Sequence, residues 1–261
     1  MKIVAKLWPA GILFALTVFA FRGAVFPSSQ YWVLSREWGD VSTLYFYWRH
    51  FAFSLLRGGV IPLWNPYIFG GVPFQAYPES AIFYPPNLIF ILFPLIRALN
   101  ASFVFHFFLL AVFQFAFLRF LGFKKAPSLL GATALVFSAP VLLHVYSGHL
   151  SNICTMAWLP LLFIFAEGFL RRRGVRWAVG LGFFFGWQIL AGHWQYGYYS
   201  VIMVFIYAIF RFLSDFKEWK ERWGKWLLGM ILFLLIGVGM TAVLPGKADC
   251  QSTRPVRASN A

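Results

Sequence analysis

The chain has 261 residues, 61% of them hydrophobic and only 11% charged, which excludes a disordered chain or an ordinary soluble domain. Its formal net charge of +14 raises nucleic acid as a partner, but the basic residues cluster in short stretches between apolar runs, the arrangement of membrane loops and not of a nucleic-acid surface. The two cysteines, Cys154 and Cys250, lie far apart, one in an apolar run and one in the polar tail, which excludes a disulfide framework or a cysteine metal site.

In chain order the apolar runs predict an all-α, polytopic transmembrane bundle of about seven spans, each near the roughly 20 residues that cross a bilayer. The first run, 7–26, is too long for a signal-peptide core and lacks a small-residue cleavage site, so it reads as a retained span. A long connection, 27–100, follows. Within it "EWGDVSTLYFYWRHFAFSLLRGG", 37–59, reads as an amphipathic helix with Val41, Leu44, Tyr45, Trp48, Phe51, Ala52, Leu55 and Leu56 on one stripe. Arg49, His50 and Arg57 lie off that stripe, and Gly58 marks the C-terminal stop. Asp40 stands just before the first helical residue. It is either an N-cap alone or a carboxylate held in a fixed direction for chemistry, and the two readings are compatible.

The next stretch, "PLWNPYIFGG" at 62–71, cannot form a long helix. Trp64, Tyr67, Phe69 and Phe74 make either a stiff aromatic floor for a lipid chain or sugar ring, or a structural plug. Glu79, in "AYPESAIFYPP", is either a solvated loop acid or a substrate-binding group. "PPNLIFILFP", 85–94, is apolar but too short to span, and reads as an interfacial or re-entrant helix.

Six further spans are expected at 101–121, 127–145, 150–170, 176–192, 197–213 and 226–245. "SDFKEWKERWGKW", 214–226, reads as a surface helix capped by Asp215, with Phe216, Trp219 and Trp223 on its apolar stripe. Lys2, Lys6, Lys124, Lys125, Arg171, Arg172, Arg173, Arg176, Lys217, Lys220, Arg222 and Lys225 fill alternate connections, while 146–149 and 192–197 carry no Lys or Arg. The positive-inside rule then places the N-terminus in the cytoplasm and 27–100 outside. Glu37, Asp40, Glu79 and Asp249 fall on the outer side with His149 and His193, and no acid falls at mid-membrane, which counts against an ion-coupled pump. His149 shares a helix face with Asn152, and His193 lies near Gln195. Each histidine is either a hydrogen-bonded interfacial anchor or a ligand. No metal-binding spacing stands out.

An acid shortly after the first span, then "PLWNPYIFGGVPFQAYPESAIFYPPNLIF", "AWLPLLF" at 157–163, "AGHWQYGYY" at 191–199 and "LPGKADCQSTR" near the end together resemble the YfhO-like bacterial membrane proteins, relatives of the GT-C glycosyltransferases. The loop motif is the most specific of these. The resemblance runs from about residue 10 to about residue 255. It implies a GT-C-like domain over 1–245 and a polar external tail over 246–261, in the truncated N-terminal part of a longer protein. It further implies transfer of a sugar from a polyprenyl-phosphate donor to an envelope polymer or lipid acceptor, with membrane lipids around the site. Asp40 occupies the position of the family's first-loop acid, a general base or, in some members, a ligand to a divalent cation; the metal requirement stays open. Glu79, His149, His193, Trp64, Asn65 and Tyr67 are substrate-binding candidates, and Arg36, Arg49 and Arg57 are candidates for the lipid phosphate. The alternative class is a non-enzymatic protein that binds or translocates lipids or glycans, which would tolerate loss of Asp40.

Overall fold

The computed structural model describes residues 4–26, 34–172, 174–214 and 223–242. These residues are helical almost throughout. In order they form α1 (Val4–Ala20), α2 (Arg22–Val25), a π-helical turn (Val41–Tyr45) running into α3 (Phe46–Arg57), a two-residue hairpin of β1 (Trp64–Asn65) and β2 (Val72–Pro73), and α4 (Ile89–Leu92). The bundle helices follow: α5 (Leu95–Phe120), α6 (Lys125–Val136), α7 (Ala139–Ser147), α8 (Leu150–Met156), α9 (Leu159–Arg172), α10 (Val175–Leu190), α11 (Trp194–Ser214) and α12 (Trp223–Thr241). The expected tail 246–261 and the centre of the expected surface helix, 215–222, lie outside the described residues.

The sequence explains the breaks. Pro94 cannot continue α4 and supplies the extended residue before α5. Pro140 sits in the first turn of α7, where its missing N–H costs nothing, and α6 and α7 meet at a bend of 41°. α5 is the hub, packed on α1, α6, α8 and α9, while α10 packs on α9 and α12. The α10–α12 contact is close because Gly182 faces α12: a Cβ there would come within 2.9 Å of the Phe233 carbonyl oxygen.

The 34–94 segment closes one end of this bundle. Phe74, Tyr84 and Phe90 are each 1% exposed, and burying a large apolar side chain stabilises by roughly 1.5–3 kcal/mol. Several of its polar groups are matched. The Tyr84 hydroxyl accepts from Trp158 Nε1 at 2.7 Å and pairs with His106 Nε2 at 2.7 Å, and the Leu34 N–H donates to Asn100 Oδ1 at 2.8 Å.

Among the described residues, two helices are long and apolar enough to cross a membrane, Leu95–Phe120 and Leu150–Arg171, and the bent pair α6–α7 makes a third if it is one span. Length and composition therefore carry two or three spans and not the seven expected. The apolar stretches Trp8–Ala20, Val175–Leu190 and Leu227–Thr241 are shorter than the bilayer thickness demands of an untilted helix. The short 85–94 segment is a turn of 3₁₀ helix, Pro85–Leu88, leading into α4.

Candidate functional site

Asp40 opens the π-helical turn but does not cap it. Its backbone is already helical (φ −58°, ψ −27°), and its side chain makes no capping hydrogen bond. The Ser42 and Thr43 hydroxyls instead donate to the Gly39 carbonyl, at 2.9 and 3.1 Å. The capping role is therefore corrected: a residue that has turned helical cannot reach forward to the N–H groups as an extended one does. Its carboxylate faces the start of α8, with Oδ2 3.5 Å from His149 Nε2.

Two glycines permit that approach. Gly148 ends α7 at φ +79°, and a Cβ there would come within 2.9 Å of the Val41 nitrogen. A Cβ on Gly39 would come within 2.8 Å of the Ser147 carbonyl oxygen. The Arg36 N–H, donating to the Tyr146 carbonyl at 2.8 Å, fixes the same two segments together.

From His149 the polar contacts run inward. His149 Nδ1 lies 2.8 Å from His144 Nδ1, and His144 Nε2 lies 2.6 Å from the Tyr196 hydroxyl. Asn152 Nδ2 is 3.5 Å from His144 Nδ1. With both rings neutral, the short contacts fit Tyr196 donating to His144 Nε2, His144 Nδ1–H donating to His149 Nδ1, and His149 Nε2–H directed at Asp40. Tyr196 also packs edge-on against His193, with ring centroids 5.0 Å apart, and its N–H donates to His193 Nδ1 at 3.4 Å. Burial, and then the neighbouring His144 charge, lower the His193 pKa below its ordinary value.

Glu79 joins from a third segment. Its backbone abuts Gly192, which precedes His193 and sits at φ +112°; a Cβ on Gly192 would lie 3.3 Å from the Glu79 Cα. Burial raises the Glu79 pKa, and the Asp40 charge raises it further. The two carboxyl groups thus feel each other, and one is pushed toward the protonated form while the other faces a histidine. The loop carrying Glu79 is held by Arg49, which donates through Nη1 to the Glu79 carbonyl at 3.1 Å and to the Ser80 carbonyl.

Arg49 is therefore 1% exposed and turned into the core, not off the apolar stripe as its spacing predicts. Arg57 likewise clasps backbone, donating to the Phe90, Phe93 and Ile91 carbonyls at 2.6, 3.0 and 3.1 Å. Trp64, Asn65 and Tyr67 belong to a different surface. Asn65 is buried and accepts the Tyr67 N–H at 3.0 Å, and Tyr67 is 82% exposed with its ring edge-on to Phe51. These contacts of Asn65 and Tyr67 do not reach Asp40, Glu79 or the histidines. Beside Asp40, an open cleft of about 870 Å³ is lined by Glu37, Trp38, Ser42, Thr43 and Tyr47.

The structure sets Asp40 against His149 and the Glu79 backbone against Gly192 beside His193; the sequence reading did not single out His144 and Tyr196, which connect His149 to His193. One signal was available: "HVYSGH" sets His144 and His149 five residues apart across a glycine that ends a helix. Among the described residues, no group of three or more His, Cys, Asp or Glu side chains is arranged to hold a metal ion. Comparison with protein-family models, with curated proteins and with solved structures gave no match.

Proposed function

We propose that this chain is part of a GT-C-like membrane glycosyltransferase that uses a polyprenyl-phosphate sugar donor at the outer face of a bacterial plasma membrane. In this reading the shorter apolar helices also cross the bilayer, where local thinning and flanking interfacial residues make up the missing length, and give the seven-span topology. Lys124, Lys125, Arg171 and Arg176 lie at the α5–α6 and α9–α10 connections or in the helix turns that flank them, at the opposite ends of the helices from the α7–α8 and α10–α11 turns. The positive-inside rule makes the acid–histidine end the outer one.

The observation that carries the reading is the meeting of Asp40, Glu79, His149 and His193 at that end. A carboxylate oriented by a histidine suits general-base catalysis, because an acceptor hydroxyl must lose its proton as it attacks the sugar. In the proposed step the acceptor oxygen bonds to the anomeric carbon, the bond from that carbon to the lipid phosphate breaks, and the proton passes to Asp40. His149, backed by His144 and Tyr196, positions the Asp40 carboxylate. Glu79, biased toward its protonated form, donates a hydrogen bond to the departing phosphate or to a sugar hydroxyl. With Arg49 and Arg57 engaged by backbone carbonyls, the phosphate is left to hydrogen-bond donors at this end.

The test is sugar transfer from a labelled polyprenyl-phosphate donor by the purified chain in lipid vesicles, with the acceptor supplied as envelope extract. Transfer by the parent chain that falls by two orders of magnitude in Asp40→Asn supports the proposal. Donor binding without transfer, unchanged by Asp40→Asn, would sink it and favour a lipid- or glycan-binding role.

A further inference from the structure

A second polar group lies at the other end of the bundle, remote from Asp40. Glu167 is fully buried on α9. Arg171 Nε pairs with its Oε1, Arg211 Nε lies 3.3 Å from its Oε2, and the Tyr207 hydroxyl donates to Oε2 at 2.6 Å. Two guanidinium groups against one carboxylate leave this cluster with a net charge of +1. The Arg171 side chain is 47% exposed, so part of that charge is presented at the surface.

A narrow apolar groove lies between α9, α10, α11 and α12, and Leu162, Ala166, Val204, Ala208, Met230 and Phe233 are among the side chains that line it. Helical spacing fixes how the two features meet. Glu167 follows Ala166 directly, Arg171 follows the groove residue Leu170, and Arg211 is one turn beyond Ala208 on the same face of α11. These positions set the cluster beside the groove, on two of the same helices, α9 and α11.

We infer that this groove is a binding site for one anionic phospholipid of the adjoining leaflet, with an acyl chain between α9, α11 and α12 and the phosphate at Arg171 and Arg211. Charge complementarity selects the occupant. An apolar slot alone accepts any hydrocarbon, but a net positive, arginine-built flank favours a phosphate over a zwitterionic or neutral headgroup. Glu167 keeps both arginines beside the groove, so a buried acid within an apolar helix has a positioning role. The inference rests on the membrane reading above and is independent of the glycosyl-transfer reading.

The experiment uses the purified full chain in phosphatidylcholine vesicles doped with phosphatidylglycerol that carries a photoactivatable group on its acyl chain. Cross-linked peptides are mapped by mass spectrometry. Enrichment in 201–208 and 230–233 is expected, with groove labelling reduced about fivefold in Arg171→Gln, the effect of one basic side chain at an anionic lipid. Arg171→Lys should retain most of it. Ala208→Phe, which fills the groove, should remove labelling there while lipid-facing positions elsewhere stay labelled. Equal groove labelling by the matching phosphatidylcholine probe, or no change in Arg171→Gln, overturns the inference. A chain that enters the bilayer but is labelled evenly over its helices also overturns it. No acyl labelling anywhere overturns the membrane reading as well.

Discussion

Asp40 Oδ2 lies 3.5 Å from His149 Nε2, although the two residues are more than a hundred positions apart and each sits at the start of a helix. The contact exists because Gly39 and Gly148 let the two helix starts touch. It also gives the Asp40 carboxylate a partner other than the backbone N–H groups of its own helix, and that separates its chemistry from its stability.

Asp40→Asn should therefore leave folding nearly untouched. A capping aspartate contributes about 1 kcal/mol, but the capping hydrogen bond is absent here. Thermal unfolding in detergent should match the parent, while sugar transfer should fall roughly 10²–10⁴-fold, the range for a lost general base. Equal transfer at equal stability would leave Asp40 without a catalytic part.

The Gly192→Ala variant should damage the site through geometry. At φ +112° a Cβ is strained, and here it would also press on the Pro78 carbonyl oxygen at 3.2 Å and the Ala81 Cβ at 3.3 Å. A cost of roughly 1–3 kcal/mol is expected, read as a lower unfolding midpoint. A neutral outcome would mean that the α10–α11 turn is not seated on the Glu79 loop.

Glu79 should make stability depend on pH. Its folded pKa is raised above the ordinary 4.5, first by burial and then by the Asp40 charge. A raised folded pKa means that the folded chain holds the proton more tightly than the unfolded one. That stability is fully present below about pH 4.5 and is lost as pH rises through the folded value. The unfolding midpoint of the parent should thus fall relative to Glu79→Gln as pH rises from 4 to 7. Asp40→Asn, which removes the second cause, should shrink the difference. Parallel pH profiles for parent and Glu79→Gln would contradict this account.

The buried clasp of Arg49 predicts a stability defect without a direct catalytic one. Its guanidinium lies 5.8 Å from the Tyr45 ring centroid and 5.7 Å from that of Phe90, besides its two carbonyl partners. Arg49→Met keeps much of the volume and strands the Glu79 and Ser80 carbonyls, for a loss of roughly 1.5–3 kcal/mol. Lipid-phosphate affinity at matched folding should not change, and a selective loss of donor binding would return Arg49 to the substrate.

Topology is tested by cysteine labelling after Cys154 and Cys250 are replaced. A cysteine at position 75 should react with an impermeant reagent from outside, and cysteines at 124 and 176 only from the cytoplasmic side. Reaction of position 75 from the cytoplasmic side alone would invert the model of the site.

What the sequence determined by itself was local. Apolar runs, Pro94 and Gly58 marked helices and stops between them, because backbone sterics and burial act over a few residues. The spacing of basic residues singled out one set of turns, and with it Asp40, Glu79, His149 and His193 as residues of the same end. Only the tertiary structure decided what those residues touch. Spacing put Arg49 on a wet face, yet the 74–90 loop folds over α3 and buries it against the Glu79 and Ser80 carbonyls. Asp40 looked like a cap until packing turned its backbone helical and set His149 before it. His144 and Tyr196, 52 residues apart in the chain, meet through a 2.6 Å contact that no local pattern encodes. Side-chain partners of that kind are fixed by the close-packed fit of whole helices, in which each contact depends on all the others.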